Sequence, residues 1–437
     1  MPVKVIMGLQ WGDEGKGKVV DQMVNDWADV VIRYQGGNNA GHTIYDEQNE
    51  KYVLHALPSG VLKSGCMNVI AKGCVIEPLS LYEELSQYPD VKLKVSDQCP
   101  LIFPHHILKD RMHYQAAIGT TAKGIGPAYS EYIARDNFTM FDLFFRFDEI
   151  SQTIEDKILK IFQGTSGESF LLLREIFRAY LQDNHFDADL SGNAEFSIAR
   201  KIQLFLSNEY FPQLRKAIDK LRPMICNTDE LIQELYSQNK NIILEGAQGW
   251  GLDVWGRSYP NVTSSSPNIG GVLTSTGLNH KQIDEVIGVV KIYKSKVGSG
   301  NHSTEDHLTR YVSEFIDDVR EKLGEFGATT GRPRRLGWLN MDEVKLACQT
   351  NGVDHIVITR VDSIQELATP SDTFFIYHEN EYKEYQMWDK PDFCASLDTF
   401  FEQEALTFFV NDIKQYTQIP TISLSYGPKR NQIKWSY

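Results

Sequence analysis

The chain has 437 residues, 42% hydrophobic and 23% charged, the composition of an ordinary folded globular protein. Its net charge of −14 excludes a non-specific nucleic-acid binder, which carries a basic footprint. Six cysteines without paired C-x-x-C spacing exclude a disulfide framework and a cysteine zinc site, and no apolar run reaches the ~18 residues of a membrane helix.

The N-terminus opens directly into "VKVIMGLQ" (3–10), without the charged segment and cleavage site of a secretory leader. A cytoplasmic protein with neither nucleic acid nor membrane as partner is expected. The run is β-branched and apolar on both faces, the pattern of a strand buried inside a parallel sheet. "GDEGKGK" (12–18) follows, and "GKVVDQMVNDW" reads as a helix. Gly12, Gly15 and Gly17 let backbone approach a ligand closely, and the helix N-terminus offers free N–H groups to an anion. Lys16 adds a full charge. The loop departs from G-x-x-x-x-G-K-[ST], because Gly17 stands where a metal-binding hydroxyl belongs. Asp13 is no phosphate ligand, since two anions repel; it needs a cation between them or a proton to take.

The next strand, "VVIRYQGG" (30–37), runs into "GGNNAGHT". Asn38 and Asn39 can read a base or cap a helix. His42 exchanges protons near neutral pH and makes an acid candidate opposite Asp13 as base. In "AIGTTAKGIGPAYSEYIAR" (117–135), Thr120 and Thr121 offer hydroxyls, and Arg135 stands further along on a predicted helix. Hydroxyl plus arginine is a common phosphate clamp, although Arg135 alone reads as a surface charge.

From about 146 to 240 the period changes. "DEISQTIEDKILKIFQ", "FLLLREIFRAYLQD", "SIARKIQLFLSNEYFPQLRKAID" and "DELIQELYSQ" each carry apolar residues at three- and four-residue spacing. Four amphipathic helices are predicted, as an insertion between strands. No linker divides the chain, so a single domain spanning 1–437 is expected.

Buried strands resume at "NIILEGAQG" (241–249), "VIGVVKIY" (286–293), "HIVITRVD" (355–362) and "PTISLSYG" (420–427), with "MDEVKLACQT" as a helix between. The whole is an α/β fold: a large, mainly parallel central sheet flanked by helices, with a helical insertion. In such sheets ligands bind beyond the carboxyl ends of the strands. There stand a long Gly/Ser/Asn loop (244–271) with Gln248 and Thr263, an arginine loop "GEFGATTGRPRRLGW" (324–338), "TRVD" and "SLSYGPKR". Arginine concentrated beside a Gly-Thr turn suits bidentate recognition of carboxylate or phosphate. An Asp at a strand end can accept two hydrogen bonds from guanine.

Taken together, "QWGDEGKGK", "RYQGGNNAGHT", "GTTAKGIGPAY", "EGAQG", "YPNVTSS" and "EFGATTGRPRR" resemble the motifs of the adenylosuccinate synthetase family, in order along nearly the whole chain. The resemblance implies a homodimeric ligase that joins L-aspartate to IMP using GTP, with one Mg²⁺ per subunit. It makes Asp13 the base and a metal ligand, the Gly41 carbonyl a second ligand, and His42 the acid, with Lys16 and Gln248 completing the catalytic set. Gly12, Asp13, Glu14, Gly15, Gly17, Lys18 and Thr43 would line the GTP site with Lys16, Gly41 and His42. IMP would meet Asp13, Lys16, Asn39, Ala40, Gly41, His42, Thr121, Gln248, Thr263 and Arg332, and Arg135 would reach it from the partner subunit. Ala328, Thr329, Thr330, Gly331, Arg332, Pro333 and Arg334 would hold aspartate, Arg334 also nearing GTP. Arg360, Val361, Asp362, Ser425, Tyr426 and Gly427 would read guanine. The family's guanine motif is Thr-Lys-Leu-Asp, so Arg360 replaces a lysine. A related branch that makes 2-aminoadenylosuccinate from dGMP is the second reading; it tends to lose the aspartate that Asp13 retains.

Overall fold

The strand "VKVIMG" sits at the centre of a ten-stranded sheet, flanked on both sides by strands more than two hundred residues away in sequence. The computed structural model describes residues 3–46, 50–186, 195–300, 302–313, 316–327, 331–367 and 371–437. In chain order the strands are β1 (Val3–Gly8), β2 (Val30–Arg33), β3 (His42–Tyr45), β4 (Lys51–Leu54), β5 (Met67–Ile70), β6 (Lys92–Ser96), β7 (Ile225–Cys226) and β8 (Ile242–Glu245). They continue with β9 (Glu285–Lys291), β10 (Tyr293–Lys296), β11 (Arg335–Asn340), β12 (His355–Thr359), β13 (Thr373–His378), β14 (Glu381–Gln386), β15 (Thr421–Ser425) and β16 (Ile433–Lys434).

The main sheet runs β16-β15-β12-β9-β1-β8-β2-β5-β6-β7, and every pairing in it is parallel except β15 with β16. All six apolar runs picked out above lie in this sheet. Successive side chains of a strand point to opposite faces, and both faces are buried here. Val3, Val5 and Met7 join one core, with Ile232 and Leu235 of the helix Thr228–Ser237. Ile6, Ile243, Ile287 and Val357 join another, sealed by Val19, Val20 and Val24 of helix α1 (Lys16–Asp26). That two-sided burial is why the runs lack a polar alternation.

Strands β5 and β6 also belong to the sheet but escape a search for apolar runs. "KLKVS" carries two lysines and "MNVI" is only four residues long. A smaller sheet, β10-β11-β13-β14, and the hairpin β3-β4 complete the strands among the described residues.

The amphipathic segments fold as predicted into Phe147–Gln163, Gly167–Asp183 and Thr228–Ser237. Between the last two, a helix Glu195–Phe205 passes through a wider π turn, Leu206–Tyr210, into Phe211–Leu221. Ile150, Ile154 and Ile158 recur every fourth position and pack with Phe177, Ile202 and Ile218, and this core reaches Ile70 and Val95 of the main sheet. Among the described residues, no helix is long and apolar enough to cross a membrane.

Candidate active site

The parallel strands end together, and the loops that leave them meet. Gly15 caps the N-terminus of helix α1, at a φ of 91° that is open to glycine at little cost. A side-chain carbon at Gly12 would stand 3.5 Å from the Gln248 backbone, one at Gly15 3.5 Å from Thr359, and one at Gly17 3.2 Å from the His42 side chain. The three glycines therefore bring the β1 loop against the ends of β8 and β12 and the start of β3.

Glu14 does not face a ligand. Its carboxylate is turned inward and fully buried, where Oε1 accepts from the amides of Gln10 (3.2 Å) and Gly12 (2.8 Å) and Oε2 from Lys16 Nζ (2.6 Å). Gly8 and Gly249 close over it: a side-chain carbon at either would fall 2.3–2.4 Å from a Glu14 oxygen. Lys16 also donates to the Gln248 carbonyl. Two of its three N–H groups thus tie the loop together. The free positive end of the loop is backbone amide plus the remaining lysine donor.

Asp13 stands at φ 61°, a left-handed conformation uncommon outside glycine. Its carboxylate is one-third exposed and meets the Arg334 guanidinium at 2.8 Å. The β1 loop and the arginine loop are thereby joined by charge. Arg334 also donates to the buried Glu325 at 2.7 Å. Burial opposes the charge on Arg334, and Asp13 and Glu325 override it, so its pKa is held above the ordinary value.

His42 opens β3, and its Nδ1 lies 2.5 Å from Oε1 of Glu245, the last residue of β8. Ser59 donates to the same carboxylate through its amide (2.8 Å) and its hydroxyl. Burial alone would raise the Glu245 pKa; the neighbouring His42 and these hydrogen bonds lower it, so the group stays ionised. A carboxylate on one ring nitrogen fixes the orientation of the imidazole.

Of the two asparagines, Asn38 is structural: it is buried and donates to Glu77 at 2.9 Å. Asn39 accepts from the Gly37 amide at 3.1 Å. Ala40 is buried, and its carbonyl takes a hydrogen bond from His55 Nδ1 at 2.8 Å. Gly41 and Thr43 are partly exposed beside it. Gln248 stands at φ 55°, and its Oε1 is buried without a partner beside Gly36. An amide oxygen in that state is poised for a ligand donor.

The two described ends of the arginine loop are joined by the Phe326–Pro333 bridge and by the Gly327 amide on the Arg332 carbonyl (2.8 Å). Gly331 takes the left-handed turn at φ 63°. Arg332 Nη2 donates to the Gly119 carbonyl at 2.9 Å, bringing Thr120 and Thr121 to this loop. Ala328, Thr329 and Thr330 lie outside the described residues. Thr263 is partly exposed, its amide on the Leu252 carbonyl at 2.8 Å.

At the far side, the Val361 amide bonds the Ser425 carbonyl at 3.3 Å, so the β12 and β15 loops lie together. Val361 itself is buried core. Asp362 Oδ1 is buried and unpartnered, as expected of a carboxylate awaiting a donor pair. Arg360, at φ 67°, shares the electrostatic field of Tyr293, Glu325 and Asp362. Lys18, the third residue of α1, reaches the loop after β15. Its Nζ donates to Ser425 Oγ (2.7 Å), the Gly427 carbonyl (2.6 Å) and the Gln432 carbonyl (3.0 Å). It braces the loop that carries Tyr426.

Arg135 stands apart from these residues, exposed at φ 64° beyond the helix Ile125–Ile133. Tyr132, Ile133, Phe141 and Phe145 are exposed near it in sequence.

Among the described residues, one cluster has the spacing to hold a metal, His105, His106 and Glu131. Lys157 (2.6 Å) and Lys109 already occupy the Glu131 carboxylate, and burial lowers the pKa of both histidines. The cluster ties three helices together.

Sequence reasoning missed three buried carboxylates: Glu14 as the keystone of its loop, Glu245 behind His42, and Glu325 behind Arg334. Glu245 left a trace, a charge closing the otherwise apolar run "IILE".

Residues 5–434 match the family model described as adenylosuccinate synthetase. The adenylosuccinate synthetase of Wolinella succinogenes is 34% identical over 451 residues, covering 98% of this chain and 99% of that protein. That of Helicobacter pylori is 39% identical over 361 residues, covering 82% of this chain and 78% of the relative. The structure of the fully ligated adenylosuccinate synthetase from Plasmodium falciparum aligns over 99% of both chains, with a TM-score of 0.74 and 26% identity. A cyanophage S-2L succinoaminodeoxyadenylate synthetase, bound to dGMP and dATP, shares the fold at a TM-score of 0.60 and 17% identity, over 100% of this chain and 95% of that one.

Proposed function

The chain belongs to the adenylosuccinate synthetase family, and from that premise we propose how its residues divide the work. The activity is that of a ligase forming a C–N bond: GTP drives the joining of L-aspartate to IMP, giving adenylosuccinate, GDP and phosphate. An oxygen at C6 of a purine is a poor leaving group. Phosphorylating it makes a good one, which the aspartate amine then displaces.

Asp13 takes the N1 proton of IMP, and O6 attacks the γ-phosphorus as GDP departs. His42, held by Glu245, donates to the phosphoryl oxygens as charge spreads over them. In the second step the amine attacks C6, the C6–O bond breaks, and phosphate leaves with its electron pair and takes up the proton that the amine sheds. Lys16 and the α1 amides hold donor phosphates. Gln248, Asn39, Ala40, Thr121 and Thr263 hold IMP. Arg332 and the loop ending at Arg334 hold aspartate, and Asp362 with Ser425 to Gly427 reads guanine. The supporting observation is the mutual contact of the β1 loop with Gln248, His42 and Arg334, three segments far apart in sequence.

The Asp13 carboxylate and the Gly41 carbonyl are hard oxygen donors, the chemistry that suits Mg²⁺. Bound there, the ion would neutralise charge on the transferring phosphoryl group. The chain is proposed to work as one unit in the cytoplasm, as a homodimer in which Arg135 reaches the partner's IMP. The exposed Tyr132 and Ile133 beside it support that interface. Mixing His42→Ala and Arg135→Leu proteins, each inactive alone, should restore turnover; mixtures that stay dead would remove the shared site.

The decisive assay combines protein, IMP, GTP, L-aspartate and Mg²⁺ and follows the ultraviolet change of the purine. Turnover with dGMP but not IMP would transfer the chain to the 2-amino branch, and no turnover with either would sink this reading.

A further inference from the structure

Behind the Asp13–Arg334 contact lies a chain of charges that the reaction scheme leaves unused. Glu325, fully buried at the base of the arginine loop, accepts from Lys291 Nζ at 2.7 and 3.0 Å, from the Tyr293 hydroxyl at 2.6 Å and from Arg334 Nη1 at 2.7 Å. Lys291 is fixed in turn by Ser295 Oγ at 2.7 Å. The Glu325 carbonyl also takes the Arg334 amide at 2.9 Å, so backbone and side chain of one residue hold backbone and side chain of the other. Lys291, Ser295 and Tyr293 come from β9 and β10, rigid elements anchored in the two sheets.

The two ends of the guanidinium are therefore unequal. Nη1 is locked in the interior. Nη2, 2.8 Å from Asp13, faces a carboxylate that is one-third exposed. Asp13 is also the group that must be free to take a proton and meet a cation. When the donor nucleotide arrives, Nη2 can leave Asp13 for a phosphate oxygen without the arginine moving as a whole, because Nη1 stays on Glu325. Arginine suits this because its fork offers two parallel donors, where lysine offers a point charge.

We propose that Glu325, braced by Lys291 and Tyr293, is a positioning residue. It holds Arg334 as an exchangeable partner of Asp13, handed to the donor phosphates when nucleotide binds. Glu325 touches no substrate and acts through Arg334. The proposal rests on the assignment of Asp13 and Arg334 above. Wild-type turnover with the four substrates tests that assignment separately.

The test is steady-state kinetics on full-length Glu325→Gln, Arg334→Ala and the double variant, with thermal denaturation of each as a check on folding. Glu325→Gln should lower kcat/KM for GTP about 10- to 100-fold, the worth of a hydrogen bond to a charged group. The KM for IMP should move less than about threefold. In the Arg334→Ala background the same change should cost no more than about twofold, because its route of action is gone. Equal losses for GTP and IMP, or a full additive loss in the double variant, would overturn the proposal. If Glu325→Gln fails to fold, Tyr293→Phe removes one brace. It should raise the GTP KM about threefold and do nothing in the Arg334→Ala background, and an unchanged GTP KM would overturn the proposal equally.

Discussion

His42 Nδ1 rests 2.5 Å from the carboxylate of Glu245, which is wholly buried and held from behind by Ser59. The imidazole is thus oriented by a fixed anion, and Nε2 is left as the ring nitrogen outside this pair. Loss of a positioned acid costs about 10²–10⁴ in rate, so His42→Asn should reduce kcat by that much. Glu245→Gln keeps the shape and removes the charge; it should lower kcat by about 10-fold or more. Single-turnover measurement of GDP formation checks both. A Glu245→Gln enzyme at wild-type rate would mean the pair is structural only.

Asp13 is the other half of the acid–base set. Asp13→Asn should abolish turnover, by about 10²–10⁴ or more. GTP binding, measured by calorimetry, should survive, because Lys16 and the α1 amides remain. Substantial residual turnover would show that the N1 proton leaves by another route.

Glu14 is predicted to matter for stability. With Lys16 it forms a buried pair at 2.6 Å, and removing one partner of such a pair costs about 3–5 kcal/mol. Glu14→Gln should therefore lower the denaturation midpoint markedly. A Glu14→Gln protein as stable as wild type would contradict the keystone role.

Donor choice should depend on Asp362, whose Oδ1 is buried without a partner. Asp362→Asn should weaken GTP use by about 10- to 100-fold, the range for hydrogen bonds to a charged group. ATP, lacking the donor pair, should lose little. Competition between GTP and ATP in one assay reads the ratio; an unchanged ratio would place base recognition elsewhere, with Arg360 the next candidate.

Acid stability should turn on His302. Burial, followed by the charges of Lys294, Arg335 and Lys296, pushes its pKa down to about 2 from an ordinary 6.5. The unfolded chain therefore binds the proton first. Stability is full above about pH 6.5 and is lost as pH falls below it, by about 2 kcal/mol between pH 7 and 5. His302→Asn should flatten that slope. Denaturation midpoints at pH 7, 6 and 5 would show it, and parallel slopes in the two proteins would exclude His302.

The outline of the fold was legible because the buried strands are apolar on both faces. β6 was not, since a strand that carries Lys92 and Lys94 looks like a polar segment. Within the site, glycines and Lys16 announced a phosphate loop by type alone. Glu14 looked equally ligand-facing, and only folding shows that Gly8 and Gly249 enclose its carboxylate. Lys18 and Asn38 illustrate the same limit: each is of the right type in the right loop, and each spends its donors on protein. A residue type tells what chemistry is possible; which partner takes it depends on contacts made hundreds of residues away.

The position of β1 has a further consequence, for how the molecule is made. β1 is the first described strand to leave the ribosome, yet its neighbours are β8 and β9. Both of its edges stay unpaired until Ile242 and then Glu285 have been synthesised. The phosphate loop it carries cannot be shaped before then, because Gln248 and Arg334 are still to come. Pairings of such long sequence separation are slow to form and leave strand edges open to other chains. Nascent chains stalled before residue 242 should therefore be the ones that chaperones hold.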